Sequence, residues 1–136
     1  MTATLSGKRI LIAEDNEWIA AGLLEAINGC DGIALGPAQT VTAALALIHE
    51  LPDGAILDAN LLDGPITPVA RALLDKFVPV VVFTGLGLPA DLQEAHSNIR
   101  VILKPAPSLT VIQALADRMT LARNGNSSKG GPSYFL

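Results

Sequence analysis

Short apolar runs alternate with longer amphipathic stretches along the chain. Five runs of three to five mostly apolar residues stand out, at positions 9–13, 33–35, 54–57, 80–83 and 99–103. Runs of this length with little polar alternation are typical of strands that are buried on both faces. Between the runs, apolar residues recur every three or four positions, which predicts helices. The pattern therefore predicts five strands, each followed by a helix.

Polar and small residues mark where these helices begin and end. Asn16 is placed to cap the first helix, and Asn28-Gly29 to end it. The second helix is expected after Thr40 and the last one from Ser108. Glycines and a proline leave room only for a short fourth helix, at about residues 89–95.

Regular alternation of strand and helix favours one α/β domain, a doubly wound parallel sheet with helices on both faces. A chain of 136 residues is within the usual size of a single domain. From Asn124 onward Gly, Ser and Asn predominate. We therefore expect a folded domain over residues 1–123 and a disordered tail over 124–136.

Polar side chains stand at the carboxyl ends of four predicted strands. Glu14-Asp15 follows the first strand, Asp58 the third, Thr84 the fourth and Lys104 the fifth. Parallel strands end at one edge of their sheet, and open α/β sheets bind ligands in the crevice at that edge. Three carboxylates, a hydroxyl and an ammonium group are thus expected in one crevice.

Composition narrows the classes of function. The net charge is −4 and the chain has no Lys/Arg cluster, which argues against nucleic-acid binding. A single cysteine, Cys30, suits a reducing compartment. No apolar run approaches the roughly 20 residues of a membrane span, and the N-terminus does not resemble a signal peptide. We expect a cytoplasmic protein without membrane insertion.

The strand-end residues resemble the receiver domain of two-component response regulators, of the stand-alone, chemotaxis-regulator-like type. The resemblance covers roughly residues 7–122, with Asp58 43 residues past Asp15, Thr84 26 past Asp58 and Lys104 20 past Thr84. It implies the flavodoxin-like strand order 2-1-3-4-5. That order places Asp15 and Asp58 at the switch point of the sheet.

The resemblance implies a magnesium-dependent phospho-acceptor site. Asp15, Asp58 and the backbone carbonyl of Asn60 would bind Mg²⁺ directly, and Glu14 would hold a metal-bound water. Mg²⁺ prefers such oxygen ligands and retains several waters.

Asp58 would itself become the acyl phosphate. Lys104 and Thr84 would contact phosphoryl oxygens, and Lys104 would pair with Asp58 when that carboxylate is empty. Trp18, in the first turn after Asp15, is expected near this crevice, where it would either report metal or phosphate binding by fluorescence or serve a packing role.

Partners follow from the same resemblance. A histidine kinase or a histidine phosphotransfer protein would donate the phosphoryl group, and an unknown downstream protein would respond. No output domain is expected after residue 123, and no enzymatic activity beyond the chemistry of Asp58 itself. The oligomeric state stays open, with a dimer through the face of helix 4, strand 5 and helix 5 as one option.

Two departures from the family pattern keep alternatives open. Val101 occupies the position of the strand-five aromatic residue that takes part in the family's switch, and Thr84 is followed by Gly85. Signalling would then depend on reordering of residues 86–95, as in a subgroup of stand-alone receivers. The main alternative is a receiver-like binding module that works without phosphate. A haloacid-dehalogenase-type phosphatase is disfavoured, because Asn60 stands where its second Asp would be.

Overall fold

Five parallel strands form the centre of the molecule, whose computed structural model describes residues 4–95 and 99–130. They are β1 (Arg9–Ala13), β2 (Ile33–Ala38), β3 (Gly54–Leu57), β4 (Val80–Thr84) and β5 (Arg100–Leu103). The spatial order is β2-β1-β3-β4-β5 and all pairings in this sheet are parallel. The predicted flavodoxin-like order is confirmed.

Helices cover both faces of the sheet. They are α1 (Glu17–Gly29), α2 (Val41–Leu47), α3 (Thr67–Asp75), α4 (Ala90–Ala95) and α5 (Ser108–Gly130). The predicted cap of α1 is in place, since Asn16 Oδ1 accepts the N–H of Trp18 and Ile19. Helix α2 follows Thr40 as expected, and Thr40 Oγ1 accepts the N–H of Ala43. No described helix is both long and apolar enough to cross a membrane.

The core divides into two layers, one on each side of the sheet. One layer joins α1 and α5 to the sheet and includes Leu23, Ile56 and Ile112. The other joins α2, α3 and α4 and includes Leu57 and Leu92. All residues of β3 and β4 are buried, as expected for central strands with helices on both faces.

Helices α1 and α5 approach each other closely at Gly22. A Cβ added to Gly22 would lie only 2.7 Å from the hydroxyl of Ser108, the first residue of α5. The missing side chain therefore sets how near the N-terminus of α5 can come to α1.

Three boundaries differ from the sequence-based expectation. Strand β2 does not stop at Leu35 but continues through Gly36-Pro37 to Ala38, with a register shift opposite β1. Its position at the sheet edge tolerates a proline, which has no N–H to donate. Helix α5 runs past residue 123, where we expected the domain to end, to Gly130. The rest of the expected tail, 131–136, lies outside the described residues.

A small hairpin between β3 and α3 is the third difference. Asn60–Leu61 pairs antiparallel with Gly64–Pro65, and Leu61 is buried in the core layer beside α2 and α3. We call residues 60–65 the β3–α3 hairpin. It begins two residues after Asp58.

Candidate functional site

Strand register aligns the predicted site residues at one edge of the sheet. Ala13 pairs with Leu57, and Thr84 pairs with Leu103. The residues that follow Ala13, Leu57 and Leu103 are Glu14, Asp58 and Lys104. Glu14 and Asp58 therefore leave the sheet at the same level. Leu57 pairs with Val82 and Val82 with Val101, so Lys104 follows at the same edge two residues farther along.

Three carboxylates form a compact cluster at this edge. One oxygen from each of Glu14, Asp15 and Asp58 lies within 4.8 Å of the others. Glu14 is almost fully buried, at 2% exposure, while Asp15 and Asp58 are half-buried and open toward solvent. The predicted acidic cluster is thus present, with Glu14 as its inner member.

Lys104 bridges two of these carboxylates. Its Nζ lies 3.0 Å from Glu14 Oε1 and 3.1 Å from Asp58 Oδ2. Burial pulls the Lys104 pKa down, but the bonds to Glu14 and Asp58 outweigh it, so the pKa is raised above its usual value. Lys104 is therefore a fixed positive charge beside Asp58.

Phe83 completes the surroundings of Lys104. Its buried ring lies under the ammonium group, with the centroid 5.6 Å from Nζ. This cation–π contact supports the lysine from the side opposite solvent. The sequence identifies Phe83 only as a buried strand residue, because the contact depends on how β4 and β5 are placed in space.

Burial dominates the electrostatics of Glu14. It raises the pKa of this carboxyl to about 7, against the stabilising N–H of Asn16 (3.1 Å from Oε2) and the ammonium of Lys104. The nearby charge of Asp58 raises this pKa further. Glu14 therefore takes up a proton more readily than an ordinary carboxyl group.

The cluster carries more negative than positive charge. Three carboxylates face one ammonium, which gives a formal charge of −2 when all are ionised. Hard oxygen donors at this spacing suit Mg²⁺, which takes carboxylate and carbonyl oxygens together with water. The residues present thus fit a divalent cation, and the cation would also offset the unfavourable charge of Glu14.

Thr84 and Asn60 stand at the same edge but bond within their own loops. Thr84 is 2% exposed, and its hydroxyl oxygen accepts the N–H of Leu86 at 3.2 Å. Asn60 is exposed and begins the β3–α3 hairpin. Direct contacts join Lys104 to Glu14 and Asp58, whereas Thr84 and Asn60 belong to the site by position.

Two large apolar side chains that follow Asp15 and Thr84 along the chain are exposed to solvent. Trp18 is 87% exposed and Leu86 is 88% exposed, so Trp18 is a surface residue and not part of the core. Farther along the edge, a groove of about 600 Å³ opens between α4 and β5. Its lining includes Leu88, Val101 and Leu103. The groove lies where Val101 replaces the family's aromatic residue.

Asp63 has a contact that the sequence does not indicate. Its carboxylate accepts the N–H of Val41 at 2.6 Å and both the N–H and the hydroxyl of Thr42 at 3.3 Å. These bonds, led by the one from Val41, hold the pKa of Asp63 below its usual value. The sequence predicts only a turn at Asp63-Gly64, since nothing in it links Asp63 to residues 21 and 22 positions away.

Comparison with known proteins is informative only through solved structures, because no protein-family model and no curated protein matches the chain. SdrG from Sphingomonas melonis Fr1 is 30% identical, with a TM-score of 0.69, over 84% of this chain and 97% of SdrG. The response regulator PhyR from Brucella abortus is 23% identical, with a TM-score of 0.74, over 90% of this chain. Only 52% of PhyR is covered, so the chain spans about half of that protein's length. The signal receiver domain of a LuxO repressor protein from Vibrio parahaemolyticus is 20% identical, with a TM-score of 0.74, over 89% of this chain and 96% of that domain.

Proposed function

Because this chain belongs to the receiver domains of response regulators, we propose that Asp58 accepts a phosphoryl group in a two-component phosphorelay. The donor is the phosphohistidine of a histidine kinase or a histidine phosphotransfer protein. The observation that carries this proposal is the Asp58 carboxylate held 3.1 Å from Lys104 Nζ, beside Glu14 and Asp15.

The chemistry takes place on Asp58 alone. A carboxylate oxygen of Asp58 forms a bond to phosphorus while the phosphorus–nitrogen bond of the donor breaks, and its electron pair stays on the imidazole. The product is an acyl phosphate on the protein. Water later cleaves it and restores the carboxylate. The chain therefore acts as a signal carrier and not as an enzyme with a separate substrate.

Mg²⁺ is the cofactor of this proposal. Asp15, Asp58 and the backbone carbonyl of Asn60 would be its direct protein ligands, and Glu14 would hold one of its waters. When bound, the ion neutralises negative charge between the carboxylates and the incoming phosphoryl group. Support comes from the spacing of the three carboxylates and from the excess negative charge of the metal-free site.

Lys104 and Thr84 stabilise the phosphoryl group. Lys104 is already charged and positioned, so little reorganisation is needed for it to turn from Asp58 to a phosphoryl oxygen. The Thr84 oxygen accepts a bond from Leu86, which leaves its O–H free to donate. Donation to the phosphoryl group would shift this hydroxyl and with it the segment that begins at Leu86.

Output is a change in protein contacts. Movement of Thr84 alters the segment from Leu86 into α4, and a downstream protein in the cytoplasm reads that change. Nucleic acid has no part in this proposal, and the dimer through α4, β5 and α5 stays an option. The open groove beside Val101 is the one observation that favours the alternative, a binding module that works without phosphate.

Intact mass spectrometry tests the proposal. Wild type is incubated with acetyl phosphate, with and without Mg²⁺, beside Asp58→Ala and the surface control Asp75→Ala. We expect a Mg²⁺-dependent gain of one phosphoryl group, about 80 Da, in wild type and Asp75→Ala only. If no adduct forms with acetyl phosphate or with a histidine kinase as donor, the phosphate-independent module is the correct function.

A further inference from the structure

We propose that Asp63 is a positioning residue for the metal side of the site, acting through the β3–α3 hairpin. The inference rests on the proposed function, because it concerns the carbonyl of Asn60 as a Mg²⁺ ligand. Asp63 touches neither the cluster nor a phosphoryl group. Its part is to hold the hairpin that presents Asn60.

The base of the hairpin is fixed by the sheet. The N–H of Asp58 donates to the Ala13 carbonyl at 2.8 Å, which continues the pairing of β1 and β3. The N–H of Ile66 donates to the Ala59 carbonyl at 2.9 Å and closes the hairpin below its arms. Both bonds lie at the sheet end of the hairpin, so they leave its tip without support.

The tip is fixed by the N-terminus of α2. Leu62 N–H donates to the Gln39 carbonyl at 3.1 Å, and the adjacent Asp63 carboxylate accepts its three bonds from Val41 and Thr42. A carboxylate at a helix N-terminus also gains from the partial positive charge there. Asp63 is exposed, so these bonds anchor the hairpin tip to α2 at the protein surface.

Asn60 lies between these two anchors. The sheet fixes the chain at Asp58 and α2 fixes it at Asp63, with Asn60 in between. Mg²⁺ demands near-ideal octahedral geometry. A carbonyl whose position varies would therefore lower the affinity of the site for Mg²⁺. Partners that orient metal ligands from outside typically contribute about 10-fold to 100-fold in metal affinity.

The test compares Asp63→Ala with Thr40→Ala, each titrated with Mg²⁺ while Trp18 fluorescence or amide shifts are followed. Both variants remove a side-chain cap from the same helix, but the Thr40 hydroxyl bonds to Ala43 within α2, whereas the Asp63 carboxylate joins α2 to the hairpin. We expect Asp63→Ala to weaken Mg²⁺ binding by about 10-fold. Thr40→Ala should lower thermal stability without weakening the metal. Equal metal affinity in Asp63→Ala and wild type would overturn the proposal.

A third variant separates positioning from simple loss of charge. Asp63→Asn keeps one acceptor oxygen and loses the negative charge. We expect its Mg²⁺ affinity to fall between wild type and Asp63→Ala. Equal weakening in the two variants, removed at high salt, would mean a long-range charge effect and would contradict a positioning role.

Hydrogen exchange of the metal-free protein gives a readout that does not depend on Mg²⁺. We expect Asp63→Ala to speed exchange at the Ile66 amide, which closes the hairpin, and Thr40→Ala to leave that amide unchanged. Unchanged exchange at Ile66 in Asp63→Ala would refute the coupling. If wild type itself binds no Mg²⁺ while exchange at Ile66 responds as expected, the proposed function fails and the mechanical link between Asp63 and the hairpin stands.

Discussion

The two halves of the functional edge of the sheet are built differently. On the side of β1 and β3, backbone bonds pin Asp58 to Ala13, and the β3–α3 hairpin to α2. On the side of β4 and β5, Leu86 is 88% exposed, α4 spans Ala90–Ala95 in the part of the chain that the structure describes, and an open groove runs beside Val101. Hydrogen bonds hold the chain in place around Asp58 in the first half, whereas the second half has open space beside the chain.

This difference matches the two tasks of a receiver. Accepting a phosphoryl group requires a fixed arrangement of carboxylates and ammonium, since misplacement of reacting groups is costly. Passing the signal on requires a segment with more than one stable arrangement. Thr84 lies at the end of β4, where the two halves meet. It is buried, and its hydroxyl accepts the N–H of Leu86 in the following loop.

The largest expected effect concerns Lys104, the charge that both halves share. Replacing it with alanine removes a preorganised cation, so phosphoryl acceptance should slow by about 100-fold to 1,000-fold. The rate of adduct formation with acetyl phosphate, followed by intact mass, measures this.

Lys76→Ala is the matched control, because it removes the same charge from an exposed position at the end of α3. It should leave the rate of adduct formation unchanged. A similar slowing in both variants would mean that overall charge matters and not the position of Lys104.

A smaller effect concerns the unfavourable burial of the Glu14 charge, on the side of β1 and β3. The folded-state pKa of Glu14 is about 7, above the usual 4.5. Folded protein then binds a proton at Glu14 more readily than unfolded protein, so the stability contributed by this group is fully present below about pH 4.5 and is lost as pH rises through about 7. Glu14→Gln should remove this fall.

Urea unfolding of the metal-free protein at pH 5 and at pH 8 measures it. For a single proton, the unfolding equilibrium constant can change by at most about tenfold per pH unit. Lys104 stays charged across this range because its pKa is raised. Parallel pH profiles for wild type and Glu14→Gln would show that another group is responsible.

The smallest effect concerns packing and uses a pair of neighbouring valines. Val82 in β4 and Val101 in β5 are paired in register, but Val82 is fully buried whereas Val101 is half-buried beside the groove. Val82→Phe should lower the free energy of unfolding by about 1 to 3 kcal/mol through overpacking. Val101→Phe should cost less, since the ring can enter the groove.

Urea denaturation of the two variants compares them directly. If Val101→Phe were as destabilising as Val82→Phe, the β5 side would be as tightly packed as the β4 side. Both valines lie in the half formed by β4 and β5, so this result would show that the groove beside Val101 has no room for a ring and would remove the evidence that this half is open.

Local patterns predict most of the fold. The continuous apolar runs of β3 and β4, and the caps at Asn16 and Thr40, follow from rules that act within a few residues. The acidic cluster could be predicted too, because parallel strands end at the same edge.

Features that depend on distances across the fold could not be predicted. The bond from Asp63 to α2, the ring of Phe83 under Lys104 and the continuation of β2 through Pro37 each join segments whose separation only the tertiary structure sets. The raised pKa of Glu14 belongs to the same class, since its burial is not written in its neighbours along the chain.

The absence of a side chain at Gly22 affects the position of Lys104 through the start of α5. A Cβ added to Gly22 would meet the hydroxyl of Ser108, and Ser108 begins the helix that follows the Lys104 loop. Side chains of increasing size at this position would act as wedges of graded thickness beneath the start of α5. Such a series would displace the start of α5, and with it the loop that carries Lys104, by graded amounts.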